Sequence, residues 1–147
     1  MLNYTVRPRY TIITGNTTVY ADGTNKVRLT CRTDSSNPPS TITWYRGGQK
    51  VISDQVASLS TGEYGGNVMS QVLEFVAKRD MDGQVVECRV TNELSGNQAV
   101  TQSVQLDILC MCNFYTFDNL PFNNKYSLNW KYTYTGKVTF RLKRLNF

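Results

Sequence analysis

Short stretches in which apolar and polar residues alternate recur through the first 109 residues of the chain. Alternation with a period of two places every second side chain on one face of an extended strand, so it predicts half-buried β-strands. The clearest stretches are residues 26–33, 41–46, 68–77, 84–92 and the segment carrying Val104, Leu106 and Ile108. Gly, Pro, Asn and Asp clusters separate them, and no longer segment has helical periodicity. The pattern predicts an all-β sandwich of two antiparallel sheets.

Three of these strands carry a cysteine or a tryptophan among their apolar positions, namely Cys31, Trp44 and Cys88. A disulfide bond across two packed sheets, with an indole against it, is typical of the immunoglobulin-like sandwich. A bond between the two cysteines would close a loop of roughly 60 residues and stabilise the fold by about 4 kcal/mol on the loop-entropy model. We therefore predict an immunoglobulin-like two-sheet sandwich followed by an irregular C-terminal tail.

Two longer segments of the chain resemble immunoglobulin domains of nephrin-like cell-adhesion receptors. The first is residues 27–48, with a Ser-Asn-Pro-Pro loop at 36–39, and the second is residues 73–92. The resemblance covers residues 8–109 and implies an extracellular module of a cell-adhesion or cell-recognition receptor. It implies non-covalent binding to another surface protein, either homophilic or to another immunoglobulin-superfamily receptor. Val86 stands where many immunoglobulin domains have a tyrosine, which disfavours an antibody-type variable domain.

The same resemblance implies a binding surface on the outer face of one sheet. Strand parity directs Tyr45 and Arg89 outward there, and tyrosine and arginine are frequent anchors of protein interfaces. We predict that these two residues bind the partner, with Arg46 and Gln49 at the rim. The alternative is that this face contacts only solvent and binds no partner.

The residues that usually carry catalysis or bind metals are sparse in this chain. There is no histidine, no Cys-x-x-Cys pair and no glycine-rich phosphate loop. Asp80 and Asp82 fit turn formation before a strand better than a calcium site. We predict that the protein is not an enzyme and needs no cofactor and no metal.

Two Asn-x-Thr triplets, at Asn3 and Asn16, fit the acceptor pattern for N-glycosylation. Asn16 is the better candidate because it lies at a turn predicted at Gly15-Asn16, between short strands at residues 10–13 and 17–20. A sugar there would shield that edge of the sandwich from a protein partner.

The composition changes after Leu109. Residues 110–147 contain six Lys and Arg against Asp118 alone, so they carry the whole net charge of +5. Residues 126–142 could form a hairpin about Thr135-Gly136, but their apolar residues show no clean pattern and no second core is expected. We predict a basic, aromatic-rich tail that is disordered, loosely paired or an artefact of the gene model. Cys110 and Cys112 are expected to be free or to cross-link chains, because a Cys-x-Cys bridge is strained.

The chain contains neither an apolar segment of signal-peptide length at its N-terminus nor a membrane-spanning one. A stable disulfide nevertheless requires an oxidising compartment. We interpret the chain as a fragment of an extracellular receptor that reaches the membrane through a segment outside this sequence.

Three alternatives stay open at this stage. The first is a secreted immunoglobulin-domain protein of defence or matrix binding. The second is a binder of nucleic acid or anionic membrane through the basic tail, although no nucleic-acid partner is expected for the domain. The third is a cytosolic protein in which the two cysteines stay reduced.

Overall fold

The computed structural model describes residues 5–96, 98–109, 126–132 and 138–144, the last two ranges by their backbone only. In chain order the strands are β1 (Thr11–Asn16), β2 (Thr18–Tyr20), β3 (Lys26–Thr33), β4 (Thr41–Arg46), β5 (Gln49–Val51), β6 (Ser58–Thr61), β7 (Asn67–Val76), β8 (Val85–Thr91), β9 (Val100–Gln105), β10 (Asp107–Leu109), β11 (Tyr126–Tyr132) and β12 (Val138–Arg144). Single turns of 3₁₀ helix lie at Glu63–Gly65, Arg79–Met81 and Glu93–Ser95.

Two four-stranded antiparallel sheets form the sandwich. One has the order β1-β3-β7-β6 and is called the β3 sheet below, and the other has the order β5-β4-β8-β9 and is called the β8 sheet. The sequence prediction of an all-β sandwich is confirmed. The bounds of β3 and β4 are those predicted, because clean alternation and flanking turn residues delimit both strands.

The core lies between the sheets and is centred on the predicted cysteine pair. Cys31 of β3 and Cys88 of β8 form a disulfide bond with their Cα atoms 6.4 Å apart. Trp44 of β4, which pairs with Cys88 in the β8 sheet, is 1% exposed and belongs to the same apolar cluster. Its indole N–H has no hydrogen-bond partner within the described part of the chain. Trp44 therefore contributes to the core through the packing of its ring.

The N-terminal strand departs from the sequence prediction at Gly15. The predicted turn at Gly15-Asn16 is not present, since both residues continue β1 and pair with Leu29 and Arg28 of β3. Gly15 has a φ of +136°, which a residue with a side chain rarely adopts. Directly after Asn16 the chain changes partner, because β2 pairs in parallel with β10. Gly15 thus permits the bend at which the chain leaves the β3 sheet.

A carboxylate at the corner before β8 bonds to a residue remote in sequence and not to the turn predicted around it. The Asp82 Oδ1 accepts a hydrogen bond of 2.9 Å from the backbone N–H of Ile108 in β10. This contact joins the corner to β10, which gives the Asp82 carboxylate a structural role.

The N-terminal residues 5–10 are fastened across one end of the sandwich. Val6 and Asn37 exchange two backbone hydrogen bonds of 2.8 and 2.9 Å. The Arg9 Nε donates to the Asp34 Oδ2 at 2.8 Å, and the Ser35 N–H donates to the Asp34 Oδ1 at 2.8 Å. Burial alone would raise the pKa of Asp34, whose side chain is 5% exposed, but these hydrogen bonds hold it below the ordinary value.

Strands β11 and β12 pair with each other as an antiparallel hairpin in the region where the sequence allowed one. Apolar cross-strand pairs, such as Trp130 with Phe140 and Leu128 with Leu142, alternate with polar pairs, such as Asn129 with Arg141. This alternation depends on the pairing register of the two strands, which the residue order of either strand does not contain. Cys110, Cys112 and the predicted turn at Thr135-Gly136 lie outside the described residues. No helix among the described residues has the length and apolarity needed to cross a membrane.

Replacing Gly15 tests the bend in β1. A Cβ there would collide with the backbone carbonyl oxygen of Arg28 and lie 3.1 Å from the Leu29 Cα. Gly23 also has a positive φ, but a Cβ there meets nothing within 4 Å. We expect Gly23→Ala to lower the free energy of unfolding by about 1–3 kcal/mol, the usual cost of a strained backbone. Gly15→Ala should lower the free energy of unfolding further, because the new Cβ meets backbone atoms of Arg28 and Leu29 that cannot move aside. Urea unfolding of both variants measures the difference, and equal losses would contradict the bend described here.

Replacing Asp34 tests the fastening of the N-terminus. We expect Asp34→Ala to lower the free energy of unfolding at pH 7 by about 1–3 kcal/mol, because it leaves the Ser35 N–H without its partner. The folded pKa of Asp34 lies below the reference value of 3.8, so its stabilisation is complete above that pH and is lost as the pH falls through the folded value. The difference in the free energy of unfolding between wild type and Asp34→Ala should therefore become smaller below about pH 4.

Urea unfolding over a pH series measures this effect, with Asp54→Ala as the control because Asp54 is exposed. If the difference in the free energy of unfolding between wild type and Asp34→Ala stays constant down to pH 2, the carboxylate charge contributes nothing to stability.

Candidate protein-docking face

The outer surface of the β8 sheet presents rows of polar side chains, and we call this surface the docking face. One row across the strands pairs Lys50 with Tyr45, Tyr45 with Glu87 and Glu87 with Ser103; the next pairs Thr43 with Arg89 and Arg89 with Thr101. The intervening residues of β8 are Val86, Cys88 and Val90, which are fully buried between the sheets. The strand period thus commits one side of β8 to the core and leaves the other facing solvent.

Tyr45, Glu87 and Arg89 form a connected cluster at the centre of this face. The Arg89 guanidinium lies over the Tyr45 ring, 4.0 Å from its centroid. Its Nε also donates a hydrogen bond to the Glu87 carboxylate. Tyr45 and Glu87 are direct cross-strand partners, and Arg89 reaches Tyr45 along the diagonal between neighbouring strands. Two contacts therefore restrain the arginine, although it remains on the solvent-facing side of the sheet.

The hydrogen bond to Glu87 raises the pKa of Arg89 above its ordinary value, and the charge of Glu87 acts in the same direction. Arginine is protonated at any physiological pH in either case. The cluster therefore presents a fixed cation, a fixed anion and an aromatic ring side by side. Because the arginine is already held, a partner would lose little side-chain entropy on contacting it.

Tyr45 and Arg89 contact each other on the outer side of the β8 sheet, and Arg46 is separated from them. Arg46 follows Tyr45 in β4, so it points to the opposite side of the sheet, and its guanidinium lies 4.8 Å from the centroid of the Phe75 ring of β7. The expected rim position of Arg46 is corrected by this contact. Gln49 is the cross-strand partner of Arg46 and is exposed at the edge strand β5.

Sequence reasoning did not include Glu87, Lys50 or Ile52 among the site residues. Glu87 could have been found, since parity already places it outward beside Tyr45. The position of Lys50 beside Tyr45 follows from the register of the short strand β5. Ile52, directly after β5, is 88% exposed, and no pattern in the sequence distinguishes it from a residue that returns to the core.

The outer surface of the β3 sheet carries ion pairs centred on Glu74. Glu74 accepts a hydrogen bond from the Lys26 Nζ at 2.7 Å and another from the Arg28 Nη1 at 3.0 Å. The hydrogen bond from Lys26, more than any other contact, lowers the pKa of Glu74. Asn16, the predicted glycosylation site, is exposed and pairs with Arg28 in the same row. Asn3, the second predicted acceptor, lies outside the described residues.

Two shallow cavities of about 310 and 240 Å³ open at the end of the sandwich beneath the N-terminal residues. Both are lined by Ser35 and Glu63, and neither includes a residue of the docking face. Across residues 5–96 and 98–109, no three His, Cys, Asp or Glu side chains are grouped as metal ligands. The predicted docking residues therefore lie away from both cavities.

Comparisons with known proteins agree with this architecture. Residues 8–99 match the model of a family described as the CD80-like C2-set immunoglobulin domain. Over 84 residues the chain is 26% identical to cell adhesion molecule 3 of Xenopus laevis, an alignment that spans 57% of this chain and 21% of that protein. The chain thus spans about a fifth of the length of this curated relative.

Solved structures similar to the chain include the full ectodomain (Ig1–Ig3) of mouse nectin-like molecule 4, with a TM-score of 0.63 and 20% identity. The match covers 72% of this chain and 35% of that one. The D1–D2 structure of Rst has a TM-score of 0.61 at 19% identity, covering 71% and 50% of the two chains. Bovine butyrophilin has a TM-score of 0.54 at 18% identity, covering 67% and 43%. These likenesses confirm the immunoglobulin-like fold.

Proposed function

Because the chain belongs to the CD80-like C2-set immunoglobulin domain family, we propose that it is an extracellular recognition module of a cell-adhesion receptor. In this proposal it binds another surface protein non-covalently through the docking face of the β8 sheet. Immunoglobulin domains are typically recognition modules and not enzymes, so the function rests on contact and not on a reaction. Residues 8–109 form the binding domain, and residues 110–147 are an atypical tail.

The observation that carries the proposal is the Tyr45–Arg89–Glu87 cluster at the centre of a solvent-facing sheet surface. Tyrosine and arginine dominate the energetics of many protein interfaces, above all where they are held in place near the centre. The stacked geometry at 4.0 Å and the hydrogen bond to Glu87 supply that restraint. Val85, at the start of β8, and Ile52, directly after β5, are 44% and 88% exposed and add apolar area.

The charge pattern of the docking face favours the same receptor or a relative as the partner. Arg89 lies two residues from Glu87 on β8, and Lys50 lies in the same cross-strand row as Glu87, beyond Tyr45, so cations and an anion share this face. A second copy related by a two-fold axis would bring its anion against a cation of the first, and an isologous contact of this kind uses one patch on both partners. Opposite charges across such an interface give specificity and faster association.

Local sequence supports a nephrin-like branch within the superfamily, through the Ser-Asn-Pro-Pro loop at residues 36–39 and the segment 73–92. The adhesion-molecule relative and the nectin-like structure support adhesion more generally. The alternative is a secreted immunoglobulin-domain protein that binds microbial or matrix ligands. Genomic sequence on either side of this chain distinguishes the two, because a receptor encodes further domains and a membrane span.

Cell adhesion tests the docking face. The chain, supplied with a secretion signal and a membrane anchor, is displayed on non-adherent cells, which are mixed with cells displaying the same chain. We expect aggregation by the wild type, and its loss in Tyr45→Ala and Arg89→Ala, because each removes one side of the central stack. Arg28→Ala is the matched control, since Arg28 is also a strand arginine paired with a glutamate but lies on the β3 sheet.

Aggregation is scored by particle counting at equal surface expression, and non-reducing gels verify that the Cys31–Cys88 bond is intact in every variant. Unchanged aggregation in both docking-face variants, or an equal loss in Arg28→Ala, would overturn the assignment of the face. Absence of aggregation by the wild type would overturn binding between copies of this chain.

A further inference from the structure

We propose that Asn16 carries an N-linked oligosaccharide, and that this sugar covers the outer surface of the β3 sheet and confines protein contact to the β8 sheet. The inference rests on the proposed function in one respect, because the modification requires passage through the secretory pathway. Its evidence is otherwise independent of the docking face and comes from the position and contacts of Asn16.

The acceptor triplet Asn16-Thr17-Thr18 lies at an accessible bend of the backbone. Asn16 ends β1 and is exposed, and Thr18 begins β2 after the chain has left the β3 sheet. The Asn16 Oδ1 accepts a hydrogen bond of 3.1 Å from the backbone N–H of Thr18. This contact bends the triplet and brings the asparagine side chain toward the threonine two positions later, as in an Asx-turn.

The same hydrogen bond leaves the reactive nitrogen available. It uses the amide oxygen of Asn16, and the Nδ2 makes no hydrogen bond to any described residue. In the transfer, Nδ2 forms a bond to C1 of the first sugar of a polyisoprenyl-diphosphate-linked oligosaccharide. The C1–O bond to the diphosphate breaks, the lipid diphosphate leaves with the electron pair, and one amide proton is released.

The position of Asn16 determines what the sugar covers. Asn16 pairs with Arg28, and Arg28 pairs with Glu74, so the three residues form one row across the outer surface of the β3 sheet. Glu74 already pairs with both Lys26 and Arg28 there. Ile12, 46% exposed, lies four residues away on the same side of β1, about 13 Å at the usual rise of a strand. A hydrated, bulky oligosaccharide at Asn16 would stand over this surface.

The docking face is on the other side of the sandwich. The Cys31–Cys88 bond and the buried core separate the two outer surfaces. A sugar on Asn16 therefore leaves Tyr45 and Arg89 accessible while it excludes protein from the β3 sheet. The arrangement gives the domain one face for a partner and one for the sugar.

Site-resolved mass spectrometry tests the modification. The chain is secreted from mammalian cells, treated with a peptide N-glycosidase in ¹⁸O-water and digested with trypsin. The peptide from residues 10–26 contains Asn16, whereas Asn3 falls in a separate peptide. We expect the isotope label at Asn16 in the wild type and in the control Thr17→Ala, which keeps the acceptor triplet, and its absence in Thr18→Ala. An unlabelled wild-type peptide, or a label that persists in Thr18→Ala, would overturn the proposal.

A transplanted sugar tests the division between the faces. Thr101→Asn creates Asn-Gln-Ser at residues 101–103 on the docking face. In the cell-aggregation assay we expect Thr18→Ala to aggregate as the wild type does, because the natural sugar stands away from the contact. Cells that display Thr101→Asn should not aggregate until the glycosidase removes the sugar at residue 101.

The outcomes separate the two proposals. Reduced aggregation in Thr18→Ala would overturn the inference that the Asn16 sugar lies outside the contact, and it leaves the docking face untouched. A glycosylated Thr101→Asn variant that aggregates like the wild type would overturn the docking face, whereas the label at Asn16 would still stand.

Discussion

The bond between Cys31 and Cys88, with the Trp44 indole packed in the same cluster, is the constraint on which the rest of the structure depends. It ties β3 of one sheet to β8 of the other across a sequence separation of 57 residues. Such a link removes much of the conformational freedom of the unfolded chain, which favours the folded state. It also fixes the parity of both strands, because each cysteine must face inward.

That parity determines which side chains of β8 and β4 reach the outer surface of their sheet. With Val86, Cys88 and Val90 committed to the core, β8 can present only the alternate residues, and these include Glu87 and Arg89. The same rule in β4 places Tyr45 outward beside Trp44 facing inward. The interior is filled with side chains of the core, so a partner would have to bind an outer surface. The inward positions of Cys88 and Trp44 thus determine which residues of β8 and β4 face solvent.

Much of this was predictable from residue order, and the failures have identifiable physical causes. β3, β4 and β8 follow from alternation, and the disulfide bond from cysteines in two such strands. β6 was missed because Ser58–Thr61 has no apolar alternation of its own and forms a strand only by pairing with β7. Arg46 was misplaced because adjacency to Tyr45 in sequence means opposite faces in a strand. The cluster around Arg89 depends on cross-strand register, which no single strand contains.

The most direct test of the account is the solvent accessibility of one tyrosine ring during adhesion. Beads coated with the protein are subjected to hydroxyl-radical oxidation when dispersed and when adhering to each other, and the modification rate is measured for each tyrosine. Tyr10 and Tyr20, 51% and 48% exposed, lie away from the docking face and act as internal references. The account predicts slower oxidation of Tyr45 in adhering beads with unchanged rates at both references. An unchanged rate at Tyr45 together with protection of Tyr10 or Tyr20 would contradict it.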